Sequence, residues 1–363
     1  MMTGTLARYF GLHFLGSVLA VFLGIFALIV LFDYIELMRR HYHVANLSSL
    51  LALKTSLHRA PLVVERILPF CILTGAMSCY LNLSRRHELV VARAAGISAW
   101  QFIMPALAAS FVLGLIATMA YNPLAATMFE RSKDLEAELS GARPRDTATT
   151  GGRFWVRQQS GEGHSILNAA TSREQGVALD TVTAFTFDAG GRFLERIEAK
   201  SARLEDGHWQ LQDARVYSQN GPMRSYDSYQ LRTSLSPEQV RESFSTPETV
   251  PFWQLPLYIR LAEGVGLAAA GYRLQYQKLL AQPFMLAAMV LLAAAFSLRF
   301  FRFGGVPKMV LGGVAAGFLV YVMAKVTNDL GTAELLYPLI AAWLPVLFGG
   351  LIGLLALLYM EDG

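Results

Sequence analysis

The chain of 363 residues is 54% hydrophobic and only 16% charged, with a formal charge of +4 and a mean hydropathy of +0.38. Soluble domains carry about 25% charged residues; the shortfall here is concentrated in long apolar runs, which points to a bilayer. The modest basic excess is what Lys and Arg beside membrane spans supply, so it is not a nucleic-acid signal.

Six stretches are long enough to cross a bilayer: Gly11–Phe32, Ile67–Leu83, Ala99–Tyr121, Leu279–Leu298, Met309–Ala324 and Leu335–Met360. The first is too long for the apolar core of a cleavable signal and no small-residue cleavage site follows it. The second and fifth are short and need flanking helix or neighbours covering their polar ends. Cys71 and Cys79 lie in one apolar run, too far apart on a helix to bond to each other, and read as packing residues.

Between the third and fourth spans the pattern changes. A polar helical stretch, Met128–Leu139, precedes alternating runs at Arg153–Arg157, Ser165–Ala170, Leu179–Phe187, Phe193–Ala199, His208–Leu211 and Ala214–Ser218. The turn signals Asp188-Ala-Gly-Gly191 and Glu205-Asp-Gly207 separate some of them. In Thr181–Phe187 the period of two favours a half-buried strand over a helix. Short strands at this spacing suggest a sandwich, a jellyroll or a curved sheet. From Phe252 to Gln282 a helical pattern returns, with Trp253, Leu257 and Leu261 spaced by four and Gly264 and Gly266 as interruptions.

The predicted fold is therefore an α-helical membrane protein of six spans with an inserted all-β, jellyroll-like domain. Residues 1–121 hold spans one to three, with a cytoplasmic helix in 84–98. Residues 122–251 form the β domain, and 252–363 hold an interfacial helix and spans four to six.

Six spans put both termini on one side. That side carries Arg8, Arg85, Arg86, Arg93, Arg299, Arg302 and Lys308, against Arg39, Arg40, Lys54 and Arg59 in the short loops opposite. The bias orients the termini to the cytoplasm and the β domain outward, which in a Gram-negative cell is the periplasm. Cations on the unexpected side then stand out: Arg39, Arg40, Arg59, Arg66 and Lys325 gather at the level of the outer leaflet. Two explanations stay open. One is an anionic lipid, since Arg and Lys bind phosphate. The other is local pairing with Asp33, Glu36, Glu65 and Asp329.

The loop Ser84–Ser98, SRRHELVVARAAGIS, reads as a short amphipathic helix with Glu88 and Arg93 on it and Gly96 as its stop. It is similar to the coupling helix of ABC permeases, whose acid pairs with a basic residue of a separate ATPase; an ordinary interfacial helix is the alternative. The chain has no G-x-x-x-x-G-K-[ST] phosphate loop, so ATP, if it drives this protein, is bound by a partner. His41, His43 and His58 have no acid cluster at ligand spacing, and no metal or cofactor is expected in this chain.

Three segments, TLARYF…FLGIFALIVLFDYIELMRR (5–40), ELVVARAAGIS (88–98) and YRLQYQKLLAQPF (272–284), resemble the LptF/LptG family of lipopolysaccharide export permeases. The ending NDLGTAELLYPLIAAWLP (328–345) resembles the LptG branch more than the LptF branch. The resemblance implies an inner-membrane permease that extracts lipopolysaccharide from the outer leaflet. Its implied partners are an LptF-like permease, an LptB-like ATPase dimer and an LptC-like bridge protein with a β-jellyroll. It implies that Glu88 contacts the ATPase and that Arg39 and Arg40 face lipid phosphates. Asp33 stands where the family has a further basic residue, about two turns before the basic pair. An LptF-type role in the same complex, a membrane scaffold and a lipid-modifying enzyme are the competing readings.

Overall fold

The computed structural model describes residues 4–41, 48–139, 154–160, 163–173, 176–188, 190–218, 221–233, 236–237, 240, 247–264, 269–303 and 305–361. The expectations on Arg153, His43 and Gly266 lie outside these residues.

Six helices are long and apolar enough to cross a membrane. The first, α1 (Gly4–Arg40), buries Phe10, Phe14 and Val18 at a spacing of four and leaves Leu12, Leu19, Leu23 and Leu31 bare. One face packs and the remainder is mostly apolar and rich in leucine, as a lipid-facing helix requires. Its 37 residues span about 55 Å, well beyond a hydrocarbon core of about 30 Å. The next helix, α2 (Ser49–Arg85), is equally long and supplies the flanking helix that the short second span demands. It is the central element, carrying residues between Leu68 and Leu83 into a core shared with α1 and five later helices. After α3 (Glu88–Ala94) comes α4 (Ala99–Ile116), then a π-helical turn, Ala117–Tyr121, and α5 (Asn122–Leu139). The third span is thus continuous to Glu136, well past residue 122, where the β domain was expected to begin. The polar stretch Met128–Leu139 is the end of that same rod.

Six strands follow: β1 (Phe154–Ser160), β2 (Gly163–Arg173), β3 (Ala178–Asp188), β4 (Phe193–Glu205), β5 (His208–Ser218) and β6 (Arg224–Arg232). They form one antiparallel meander in the order β1-β2-β3-β4-β5-β6. The sheet is curled. Gln158 of β1, which is buried, accepts hydrogen bonds from Trp209 Nε1 of β5 (3.0 Å) and Thr233 Oγ1 beyond β6 (2.6 Å). Two corrections to the sequence reading arise here. The runs 208–211 and 214–218 are one strand, with Asp213 at φ 53° where the ladder is interrupted. Strand β6, RSYDSYQLR, was not expected, because all its side chains but Leu231 and Tyr229 are exposed and no apolar alternation marks it.

The chain returns through a 3-10 turn, Pro247–Thr249, and α6 (Leu255–Gly264) to three spanning helices: α7 (Ala270–Phe303), α8 (Val306–Thr332) and α9 (Pro338–Glu361). Lys325 lies inside α8, about two turns before its end, rather than at the end of the fifth span.

Prolines inside the spans free backbone carbonyls, and at two of them a side chain from another segment takes up the oxygen. Pro283 in α7 has no N–H for the carbonyl of Leu279, and Thr118 in the π-turn donates to that oxygen at 2.9 Å. Gly114, one turn before Thr118, lies so close to Pro283 that a Cβ there would strike its backbone. Pro123 likewise has no N–H for Met119, whose carbonyl accepts from Trp253 Nε1 at 3.0 Å.

Candidate functional site

Two places collect the chemistry, one at each end of the helical bundle. At the β-domain end a cleft of about 300 Å³ opens between α2, the Pro247–Thr249 turn, α7, α8 and α9. Apolar groups such as Phe70, Met285 and Tyr321 line its inner part; Arg66, Lys278, Lys325, Glu65 and Glu248 line its charged part. Arg66 and Lys325, two of the five expected outer-leaflet cations, therefore meet in one site although 259 positions separate them.

Each charge there has a different standing. Arg66 pairs with Glu248, and Lys325 with Asp329 one turn away at 2.9 Å. Glu65, nine-tenths buried, accepts from Asn122 Nδ2 at 2.8 Å through one carboxylate oxygen. Its second oxygen is buried with no hydrogen-bond partner among the described residues. Asn122 also takes the backbone N–H of Phe252 at 2.9 Å, so a single side chain joins α2, the third span and the returning segment. Lys278, on α7, forms no hydrogen bond or ion pair among the described residues. Sequence reasoning passed over Lys278 and Glu248. The signal for Lys278 was present: a lone lysine in a spanning helix is costly in a bilayer unless it faces a partner or a cavity. Glu248 carried none, because its place beside Arg66 arises from a contact 182 residues long.

The other three cations lie elsewhere. Arg59 is held between Asp33 of α1 (3.5 Å) and Glu136 of α5 (2.8 Å), with all three side chains about a quarter exposed. Two carboxylates thus lie within ion-pair reach of Arg59, Asp33 as the local-pairing reading expected and Glu136 from a helix 77 residues on. Arg39 and Arg40 both bond to Glu36, at 2.9 and 2.7 Å, on the exposed last turn of α1. Their side chains are 76% and 60% exposed, so each guanidinium keeps free donors.

At the opposite end, α3 lies across the gap between α2 and α4. Leu89 is buried in the main core and Ala92 is buried beside it on the same helix, while Val90 and Val91 face outward. His87 enters the helix at φ 59° and Gly96 leaves it at φ 82°; the second is a left-handed position that glycine adopts without strain. Glu88 in the first turn accepts a hydrogen bond from Tyr9 Oη of α1 at 3.0 Å. Arg93 sits in the last turn. Among the described residues no group of three His, Cys, Asp or Glu could hold a metal.

Six helices long and apolar enough to cross a membrane, a cleft lined by cations and a curled sheet inserted between the helices define a multi-pass membrane protein. The chain belongs to the family described as lipopolysaccharide export system permease LptF/LptG, whose profile matches residues 8–359. It is 23% identical to the lipopolysaccharide export system permease protein LptG of Haemophilus influenzae, over 99% of this chain and 97% of that one. It is also 23% identical to the protein of the same description from Escherichia coli K12, over 94% of each.

Proposed function

We propose that this chain is one half, on the LptG side, of a lipopolysaccharide exporter of the inner membrane. In this reading the termini and α3 are cytoplasmic and the curled sheet is periplasmic. The partners are an LptF-like permease, an LptB-like ATPase dimer and an LptC-like bridge. The observation that carries the reading is the charged cleft: Arg66, Lys278 and Lys325 converge from three helices beside an apolar wall.

A lipid phosphate in that cleft meets Lys278, which forms no ion pair among the described residues, and Arg66, which exchanges Glu248 for the phosphate. Charge-assisted bonds of this kind are the strong ones, and a guanidinium can address a phosphate with two parallel donors. The acyl chains lie along Phe70, Met285 and Tyr321. Arg39 and Arg40 are a second, more open contact at the top of α1. Arg59 is reassigned from the lipid to the architecture, since both sides of it are already occupied. Glu248 stands on the turn that leads out of the β domain, so releasing Arg66 also frees the contact between cleft and returning chain. The sheet is then the exit path.

Energy enters at the other end. Val90 and Val91 present an apolar surface and Glu88 an acid, which suits a groove with a basic residue on a separate ATPase. Arg93 and Gly96 complete the exposed edge and the stop of that helix. The decisive experiment is co-purification from native membranes in mild detergent. An ATPase and a second six-span chain are expected in stoichiometric amounts, and Glu88→Ala is expected to deplete the ATPase and stop export. Full ATPase recovery and normal export with Glu88→Ala would overturn the assignment of α3.

A further inference from the structure

The acid of α3 is not free in the protein. Tyr9 Oη donates to Glu88 Oε2 at 3.0 Å across 79 residues of sequence. The tyrosine is fixed in turn: its ring lies 4.3 Å from that of His13 and 5.8 Å from that of Phe10. Phe10 reaches Phe102 at the start of α4 and belongs to the same buried core as Leu89 of α3. A long carboxylate at the start of a seven-residue helix has several rotamers open to it, and the hydroxyl selects one. The same helix, α1, carries Arg39 and Arg40 about 45 Å away, 30 residues along at 1.5 Å each.

We propose that Tyr9 is a positioning residue for ATPase docking, which holds the Glu88 carboxylate in the pose that receives a cation and ties α3 to α1. The proposal rests on the docking role of Glu88. A carboxylate has more than one acceptor site, so the tyrosine bond and a partner cation are compatible. Docking then pulls on α1 directly and not only on the helices that flank the loop.

The test uses the complete complex of both permeases and the ATPase in lipid nanodiscs. Tyr9→Phe removes the hydroxyl and keeps the ring, so the aromatic packing stays. ATPase retention under washes of rising salt and lipopolysaccharide-stimulated ATP hydrolysis are measured for Tyr9→Phe, Glu88→Gln and the double variant. Tyr9→Phe is expected to weaken retention about three- to tenfold, as the loss of one hydrogen bond does, with an unchanged melting temperature. In the Glu88→Gln background it is expected to add less than twofold, because the two residues act as one unit. Additive losses in the double variant would mean that Tyr9 acts through packing, and would overturn the proposal. Tyr9→Phe without effect beside a defective Glu88→Gln overturns it too, leaving the docking role of Glu88 intact. A silent Glu88→Gln overturns both.

Discussion

Arg66 and Glu248 form an ion pair between α2 and the turn that returns from the β domain, 182 residues apart in the chain. Both line the cleft that Lys278 also lines, without an ion pair of its own among the described residues. Their side chains remain 60% and 38% exposed, so an anion entering the cleft can reach both.

Removing each side of this arrangement has opposite expected effects. Glu248→Gln leaves Arg66 uncompeted, so phosphate-bearing lipid is expected to crosslink more strongly to a photoreactive residue placed at Phe70. Lys278→Ala is expected to lower the yield about tenfold or more, since one charge-assisted contact is worth about 1.5–3 kcal/mol and each 1.4 kcal/mol is a factor of about ten. The readout is crosslinked lipopolysaccharide per permease, and equal yields for all three proteins would exclude the cleft as the lipid site.

Arg59 and the pair Arg39–Arg40 separate in a two-channel measurement. Arg59→Ala removes the cation that Asp33 and Glu136 share and is expected to cost about 1–3 kcal/mol of stability. It appears as a lower melting temperature with crosslinking per folded molecule preserved. Arg39→Ala with Arg40→Ala removes exposed groups, so the melting temperature holds while crosslinking at the top of α1 falls.

Gly114 and Thr118 fix how α4 approaches α7. A methyl group at 114 would meet Pro283 Cβ at 3.0 Å and its nitrogen at 3.1 Å. Gly114→Ala is therefore expected to destabilise by about 1–3 kcal/mol through overpacking. Thr118→Val keeps the shape but leaves the Leu279 carbonyl without a donor, at a similar cost of about 1–3 kcal/mol. Denaturation of the two variants in detergent, against wild type, checks both values.

Asp188 sets a pH dependence in the β domain. One carboxylate oxygen accepts the backbone N–H groups of Gly190 (2.9 Å) and Arg192 (2.8 Å), and the other takes the Arg192 side chain at 2.9 Å. The Arg192 backbone bond, ahead of the Arg192 charge, holds this acid below the ordinary aspartate value. A depressed folded value means that the β3–β4 turn keeps this support above the ordinary value and loses it as the pH falls through the lower one. Amide exchange at 190–194, corrected for intrinsic rates, is expected to quicken only in strong acid. Asp188→Asn, which retains the backbone acceptor, is expected to protect these amides at neutral pH far better than Asp188→Ala.

The sequence by itself determined the spans, their number and the inserted β domain, because apolar length and period-two alternation are local properties that need no partner. It determined α3 and its glycine stop for the same reason, and the strands whose inward faces are apolar. Polar β6 escaped, since an exposed strand carries no alternation. The tertiary structure alone decided which charges share a site. Arg59 and Arg66 look alike along the chain, yet one is closed between α1 and α5 while the other opens on a cleft with Lys278 and Lys325. That difference is made by helices packed from distant parts of the sequence, and by prolines and a glycine, such as Pro283 and Gly114, that set how closely those helices approach.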